Sequence, residues 1–168
     1  YGLKLYGNMP LIEPLESREV KKILDFIIVI DTSYSTSGEM VKDFIRETFG
    51  LLSQETSFFK KCNIRIIQCD DRVRLDRKIT DMEELDKMLD DFELAGGGNT
   101  DFRPAFEYVN RLVADGSMKN LKGLLYFTDG LGIYPTKRPP YDTAFVFSRE
   151  YDKTKLPPWA MGIRYDLI

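Results

Sequence analysis

The segment Leu24–Ile30 (LDFIIVI) constrains the fold more than any other stretch of the sequence. It is a nearly continuous apolar run that is rich in β-branched side chains. Such a run is typical of a strand that is covered on both faces, as in a parallel sheet. We therefore expect a central strand here, with further layers packed on both of its sides.

The rest of the chain alternates apolar runs with segments of helical periodicity. Amphipathic helices are predicted at 40–52, with Ser37 as N-cap, at 82–89, with Thr80 and Glu83 as a capping box, and at 102–113. Strands are predicted at 63–70, 72–80, 121–130 and 143–148, and a short strand or helix closes the chain. This order indicates an α/β fold, a three-layer, open, mostly parallel β-sheet with helices on both faces. The strands 63–70 and 72–80 are expected to form a ribbon at its edge.

Length and charge indicate one globular domain without a nucleic-acid or membrane role. The 168 residues suit a single domain, and 24 basic against 27 acidic residues give a net charge of −3. Nucleic-acid binding would need clustered Lys and Arg, and no apolar run approaches the roughly 18 to 20 residues that cross a bilayer. We interpret residues 1–24 as a lead-in or linker from an upstream domain, and residues 25–168 as the folded domain.

The chain contains no histidine, which excludes much catalytic chemistry within it. Ser-His and Cys-His nucleophile pairs, His-based zinc sites and HExxH motifs all require that residue. Cys62 and Cys69 are interpreted as buried thiols, because their odd separation along a strand points them to opposite faces. The absence of a disulfide framework agrees with a cytoplasmic location.

Small oxygen-bearing side chains follow predicted strands at two places and a glycine-rich segment at a third. Asp31, Ser33 and Ser35 come after the first strand, Thr100 and Asp101 come after the glycines of AGGGNT, and Asp129 ends the strand 121–130. Ligands of such sheets bind beyond the carboxyl ends of the strands, where these side chains would converge. Hydroxyls and two carboxylates suit Mg²⁺, which prefers oxygen ligands and retains some water; Mn²⁺ and Ca²⁺ are alternatives. The predicted metal ligands are Asp31, Ser33, Ser35, Thr100 and Asp129.

These motifs resemble those of von Willebrand factor A domains. DTSYS (31–35) is similar to their DxSxS signature, GNT (98–100) to their threonine segment, and FTDG (127–130) to their strand-borne TDG segment. GGGNTDFRPAF, FTDGLGIYP and PPWAMGIRYD further resemble the C-terminal region of predicted metal-dependent peptidases of unknown function. The resemblance covers roughly residues 25–168 and implies a Rossmann-like, von Willebrand A-type fold for that domain.

The resemblance implies a metal-ion-dependent adhesion site (MIDAS) in a noncatalytic protein-interaction module. Ser33, Ser35 and Thr100 would contact Mg²⁺, whereas Asp31 and Asp129 would act partly through water. An Asp or Glu of a protein partner would complete the metal shell, and bacterial relatives often work with AAA-type ATPases. Longer members carry an upstream zinc-peptidase-like region, which these residues, lacking histidine, cannot supply.

Other interpretations remain open at this point. Asp31, Ser33 and Ser35 would also suit a capped helix start, and AGGGNT a flexible turn. A metal-free scaffold is an alternative function, since Tyr34 stands where relatives often have Gly and its ring would cover the crevice. A Mg²⁺-dependent phosphohydrolase with Asp31 as nucleophile is less favoured, because such enzymes need a second aspartate where this chain has Ser33.

Overall fold

The fold is an open six-stranded sheet between two helical layers. The computed structural model describes residues 24–33, 38–52, 62–93 and 97–165. Its strands are β1 Leu24–Asp31, β2 Cys62–Cys69, β3 Val73–Ile79, β4 Leu121–Thr128, β5 Asp142–Phe147 and β6 Met161–Arg164. Its helices are α1 Gly38–Leu52, α2 Met82–Asp90 and α3 Arg103–Ala114. The predicted N-cap Ser37 lies outside the described residues.

The strand order confirms the predicted class of sheet. The order is β3-β2-β1-β4-β5-β6, so β1 is central. It pairs in parallel with β2 on one side and with β4 on the other. The pairs β4–β5 and β5–β6 are also parallel, and only the pair β2–β3 is antiparallel. The carboxyl ends of five strands therefore meet at one edge of the sheet, which is where parallel sheets bind ligands.

The predicted ribbon at the edge of the sheet is confirmed. The two strands form an antiparallel hairpin with β3 as the outermost strand, and β2 also pairs with β1 along its whole length. Burial follows this order, since Ile64, Ile66 and Ile67 of β2 are almost fully buried whereas β3 is mostly accessible. The end of β2 therefore lies beside the end of β1.

Alternate residues of β1 pack into two separate hydrophobic cores. Ile27 and Val29 pack with α3, whereas Phe26, Ile28 and Ile30 pack with α1 and α2. All five are at most 4% exposed, as expected for a strand covered on both faces.

Within the described residues, no helix combines the length and the apolar character needed to cross a membrane.

The helix α2 begins at Met82 as predicted, but its N-cap lies one residue later than predicted. Its N-cap is Asp81, whose Oδ1 accepts the backbone N–H of Glu84 at 2.8 Å. The Glu84 carboxylate in turn accepts from the backbone N–H and the hydroxyl of Thr80, at 2.8 and 2.7 Å. The predicted pair Thr80 and Glu83 was therefore wrong, because Asp81 caps the helix and Glu84, not Glu83, accepts from Thr80.

Candidate functional site

Asp31 lies at the carboxyl end of the central strand and is fully buried. Its Oδ1 accepts the backbone N–H of Ser33 at 2.9 Å, and its Oδ2 accepts the hydroxyl of Thr128 at 2.5 Å. Thr128 is the last residue of β4, so this carboxylate ties together the ends of two adjacent strands. Ser33, the second predicted ligand, is 6% exposed and lies two residues after the end of β1.

Asp129 follows β4 and lies close to Asp31. It is 1% exposed, and its Oδ1 accepts the backbone N–H of Leu131 at 3.0 Å. The pKa of Asp31 is raised, mainly because burial disfavours its charged form; the Asp129 charge adds to the rise, and hydrogen bonds from Thr128 and Ser33 oppose it. Two buried carboxylates that repel each other are an arrangement that a divalent cation stabilises.

Thr100 lies on the loop that precedes α3, next to the loop that follows β4. The backbone N–H of Asp101 donates to the carbonyl of Asp70 at 3.1 Å, and that of Phe102 donates to the carbonyl of Ile133 at 3.1 Å. A Cβ on Gly132 would lie 2.7 Å from the Thr100 methyl carbon, so the two loops are in close contact. The structure thus places Thr100 between the end of β2 and the loop of Asp129.

Asp70 fixes this loop, a role that sequence reasoning missed. It stands in the turn between β2 and β3, where an aspartate usually makes only local bonds, but it is fully buried, and its Oδ2 accepts the backbone N–H of Gly98 at 3.2 Å. Its Oδ1 accepts from Arg74 Nε at 2.9 Å. Burial opposes ionisation of Asp70, but the hydrogen bonds from Arg74, Gly98 and Arg72 outweigh it and hold its pKa well below the usual range.

Asp101 makes local contacts just before α3. The N-cap of α3 is Phe102, without a side-chain cap, and Pro104 stands in the first turn, where proline is tolerated. Asp101 accepts the backbone N–H of Arg103 at 3.0 Å and forms a two-point ion pair with its guanidinium, at 3.0 and 2.8 Å. This pair lowers the pKa of Asp101.

The structure therefore brings together four of the five predicted ligands, all at the carboxyl edge of β1 and β4. Asp31, Ser33 and Asp129 are linked through β1 and β4, and Thr100 lies on the adjoining loop. Ser35 and its neighbour Tyr34 lie outside the described residues. Among the described residues, no cluster of three or more His, Cys, Asp and Glu side chains is arranged to hold a metal. A site here would depend on two aspartates with hydroxyl oxygens.

Gly132→Ala is expected to destabilise the domain by about 1–3 kcal/mol through overpacking. The new methyl would lie 2.7 Å from both Thr100 Cγ2 and Phe102 Cζ, and Phe102 is fully buried. Urea unfolding measures the effect. The matched control is Gly50→Ala, which is exposed in α1 with no neighbouring atom within 4 Å. It should stabilise by roughly 0.5–1 kcal/mol, and equal midpoints for the two variants would contradict the contact.

A central parallel sheet with helices on both faces, and with Asp31, Ser33, Thr100 and Asp129 at its carboxyl edge, defines a von Willebrand A-type domain. The family model described as "VWA-like domain (DUF2201)" matches residues 26–166. The chain belongs to this family. No curated protein sequence matches this chain.

Solved structures support the same fold. The chain is similar to the SpRpn10 VWA domain, with a TM-score of 0.61 and 12% identity over 85% of this chain and 88% of that one. It is also similar to proximal thread matrix protein 1 from the mussel byssus, with a TM-score of 0.60 and 17% identity over 84% of this chain. A further structure of that protein has a zinc-occupied MIDAS motif, with a TM-score of 0.59, 17% identity and 85% of this chain covered. The chain spans 43–44% of the mussel protein.

Proposed function

We propose that this domain is a noncatalytic protein-interaction module that binds its partner through a divalent metal ion. The metal would be held by Asp31, Ser33, Ser35, Thr100 and Asp129. The observation that carries the proposal is the burial of Asp31 and Asp129 side by side at the sheet edge, where β1 and β4 end. Mg²⁺ is the metal that these hard oxygen donors favour, and Mn²⁺ or Ca²⁺ would suit them as well.

The donor set fits a metal ion. Within the described part of the chain, no Lys or Arg forms an ion pair with Asp31, although it is fully buried. Both of its carboxylate oxygens already accept hydrogen bonds, which suits contact with the metal through water. The nearby hydroxyls are neutral, so the bound ion would keep enough charge to attract a carboxylate from a partner.

The same contacts favour a binding role over a catalytic one. As nucleophile of a phosphohydrolase, Asp31 would have to reach a substrate phosphorus, but it is fully buried and held by Thr128 and Ser33. The chain also has no histidine to act as a general base. These two features support the assignment of this domain as a non-enzyme.

The surface beside the site suits a protein partner. Leu131 and Ile133 are 60% and 52% exposed on the loop that follows Asp129, and large apolar side chains at this level of exposure are common at interfaces. An Asp or Glu of the partner would bind the metal while neighbouring apolar groups cover this loop. By family analogy the partner is an AAA-type ATPase, and the setting is the bacterial cytoplasm.

Titration calorimetry with MgCl₂ tests the proposal. Wild type should bind Mg²⁺, and Asp129→Asn should weaken binding by about 10–100-fold, because it removes one carboxylate from the site. Asp86→Asn is the matched control, since it makes the same charge change at an exposed position of α2 and should bind as wild type does. No heat at millimolar Mg²⁺, Mn²⁺ and Ca²⁺ would instead favour the metal-free scaffold.

A further inference from the structure

A second surface feature lies beside α3, beyond the predicted metal ligands. A cleft of about 320 Å³ separates the exposed side of α3 from the loop between β4 and β5. On α3 it is lined by Arg103, Glu107 and Asn110, which are all exposed. On the loop it is lined by residues 135–140, PTKRPP. Its volume is that of a small binding cleft, whose usual range begins at about 300 Å³.

The cleft is cationic on a chain that is acidic overall. Lys137 and Arg138 line it together with Arg103, which is paired with Asp101, and the acid of the lining is Glu107, while the whole chain has a net charge of −3. Lys137 and Arg138 are exposed, and neither forms an ion pair with another described residue. Two adjacent cations that form no ion pair within the described residues are available to a ligand of opposite charge.

Both walls of the cleft are held in place. Pro135, Pro139 and Pro140 restrict the backbone of the loop wall, and Pro139 is buried. The two walls are also joined, because the hydroxyl of Tyr141 donates to Oδ1 of Asn110 at 3.0 Å. A preorganised cleft loses little conformational entropy when a ligand binds.

We propose that this cleft binds an extended acidic peptide segment of a protein partner. Its Asp or Glu carboxylates would pair with Lys137 and Arg138, and its backbone would lie between α3 and the prolines of the loop. A cleft between a helix and a proline-rich loop suits a peptide backbone, and its charge selects an acidic one. This contact does not require the metal, although the loop that carries it begins directly after Asp129.

Fluorescence anisotropy with fluorescein-labelled hexaglutamate, at low ionic strength and with EDTA present, tests this site. Wild type should bind, and the double variant Lys137→Glu/Arg138→Glu should bind at least about tenfold more weakly, because two charge-assisted contacts become repulsive. Glu107→Gln should bind more tightly. The matched control Lys119→Glu/Lys122→Glu makes the same change in net charge at the amino end of β4 and should bind nearly as wild type does.

Each contrary outcome overturns the proposal. Equal weakening by the two double variants would mean that only overall charge matters, and unlabelled phosphate competing as well as unlabelled hexaglutamate would mean a small-anion site. Tighter binding of an oligonucleotide of equal charge would indicate nucleic acid instead. If Lys137→Glu/Arg138→Glu does not fold, Lys137→Gln/Arg138→Gln replaces it. If hexaglutamate binds without EDTA but not in its presence, or if Asp129→Asn abolishes binding, the peptide occupies the metal site instead of this cleft. Failure of the cleft proposal can therefore be told apart from failure of the metal proposal.

Discussion

Phe127→Ala is expected to lower the free energy of unfolding by about 3–5 kcal/mol, the usual cost of truncating a buried aromatic side chain. Phe127 is fully buried on β4. Its ring stacks on Phe44 of α1 at a centroid distance of 4.4 Å and meets the edge of Tyr165 at 5.8 Å. The change therefore leaves a cavity between the sheet and α1, directly before Thr128 and Asp129. Urea unfolding followed by circular dichroism measures it.

The matched control is Leu131→Ala, four residues further along the same segment. Leu131 is 60% exposed, so its truncation should change the free energy of unfolding by no more than about 0.5 kcal/mol. Combining Phe127→Ala with Phe44→Ala should cost less than the sum of the single changes, since both remove the same ring contact. A loss for Phe127→Ala as small as that for Leu131→Ala would contradict this packing.

The secondary structure was predictable where one pattern determined it. In β1 the apolar run is continuous because both faces are buried, and residues of alternate parity enter the two cores. The helix α3 was equally readable, since Ala105, Phe106, Val109 and Leu112 recur on one buried face. In both cases local spacing and tertiary burial agree.

Competing local signals were not resolved by the sequence. Thr80 with Glu83 and Asp81 with Glu84 both have the spacing of a capping box, and only the backbone path decides that Asp81 accepts from Glu84. The buried role of Asp70 was also hidden, because an aspartate in a hairpin turn usually makes only local bonds. Its bond to Gly98 spans 28 residues, and that contact exists only once β2 lies beside β1.

The candidate site was also predictable only in part. The position of Asp31 and Asp129 at strand ends follows from local pattern, and the rule for parallel sheets places both at one edge. Thr128 reaches Asp31 because β4 is the direct neighbour of β1, and this neighbourhood is a property of the strand order. The sequence contains the candidate ligands, but the topology sets their separation.

Asp31→Asn is expected to abolish Mg²⁺-dependent stabilisation while making the metal-free domain more stable at neutral pH. The folded-state pKa of Asp31 is raised by burial, with Asp129 adding to it, so its charged form opposes folding above that pKa and protonation relieves the cost as pH falls. Asn removes this charge at neutral pH and keeps an oxygen that can accept the backbone N–H of Ser33. In EDTA, the thermal midpoint of the variant should therefore exceed that of wild type.

Added Mg²⁺ should reverse this order. A ligand that binds only the folded state at about 100 times its Kd adds about 2.7 kcal/mol of stability. Wild type should gain that amount, whereas Asp31→Asn should gain almost none because its site has lost a carboxylate beside Asp129. Thermal unfolding across a Mg²⁺ series measures both curves, and Asp86→Asn, exposed on α2, should follow wild type. If the thermal midpoints of wild type and Asp31→Asn rise in parallel with Mg²⁺ concentration, Asp31 is not part of a metal site. If the two curves cross, the buried charge of Asp31 lowers the stability of the metal-free domain and serves to bind the ion.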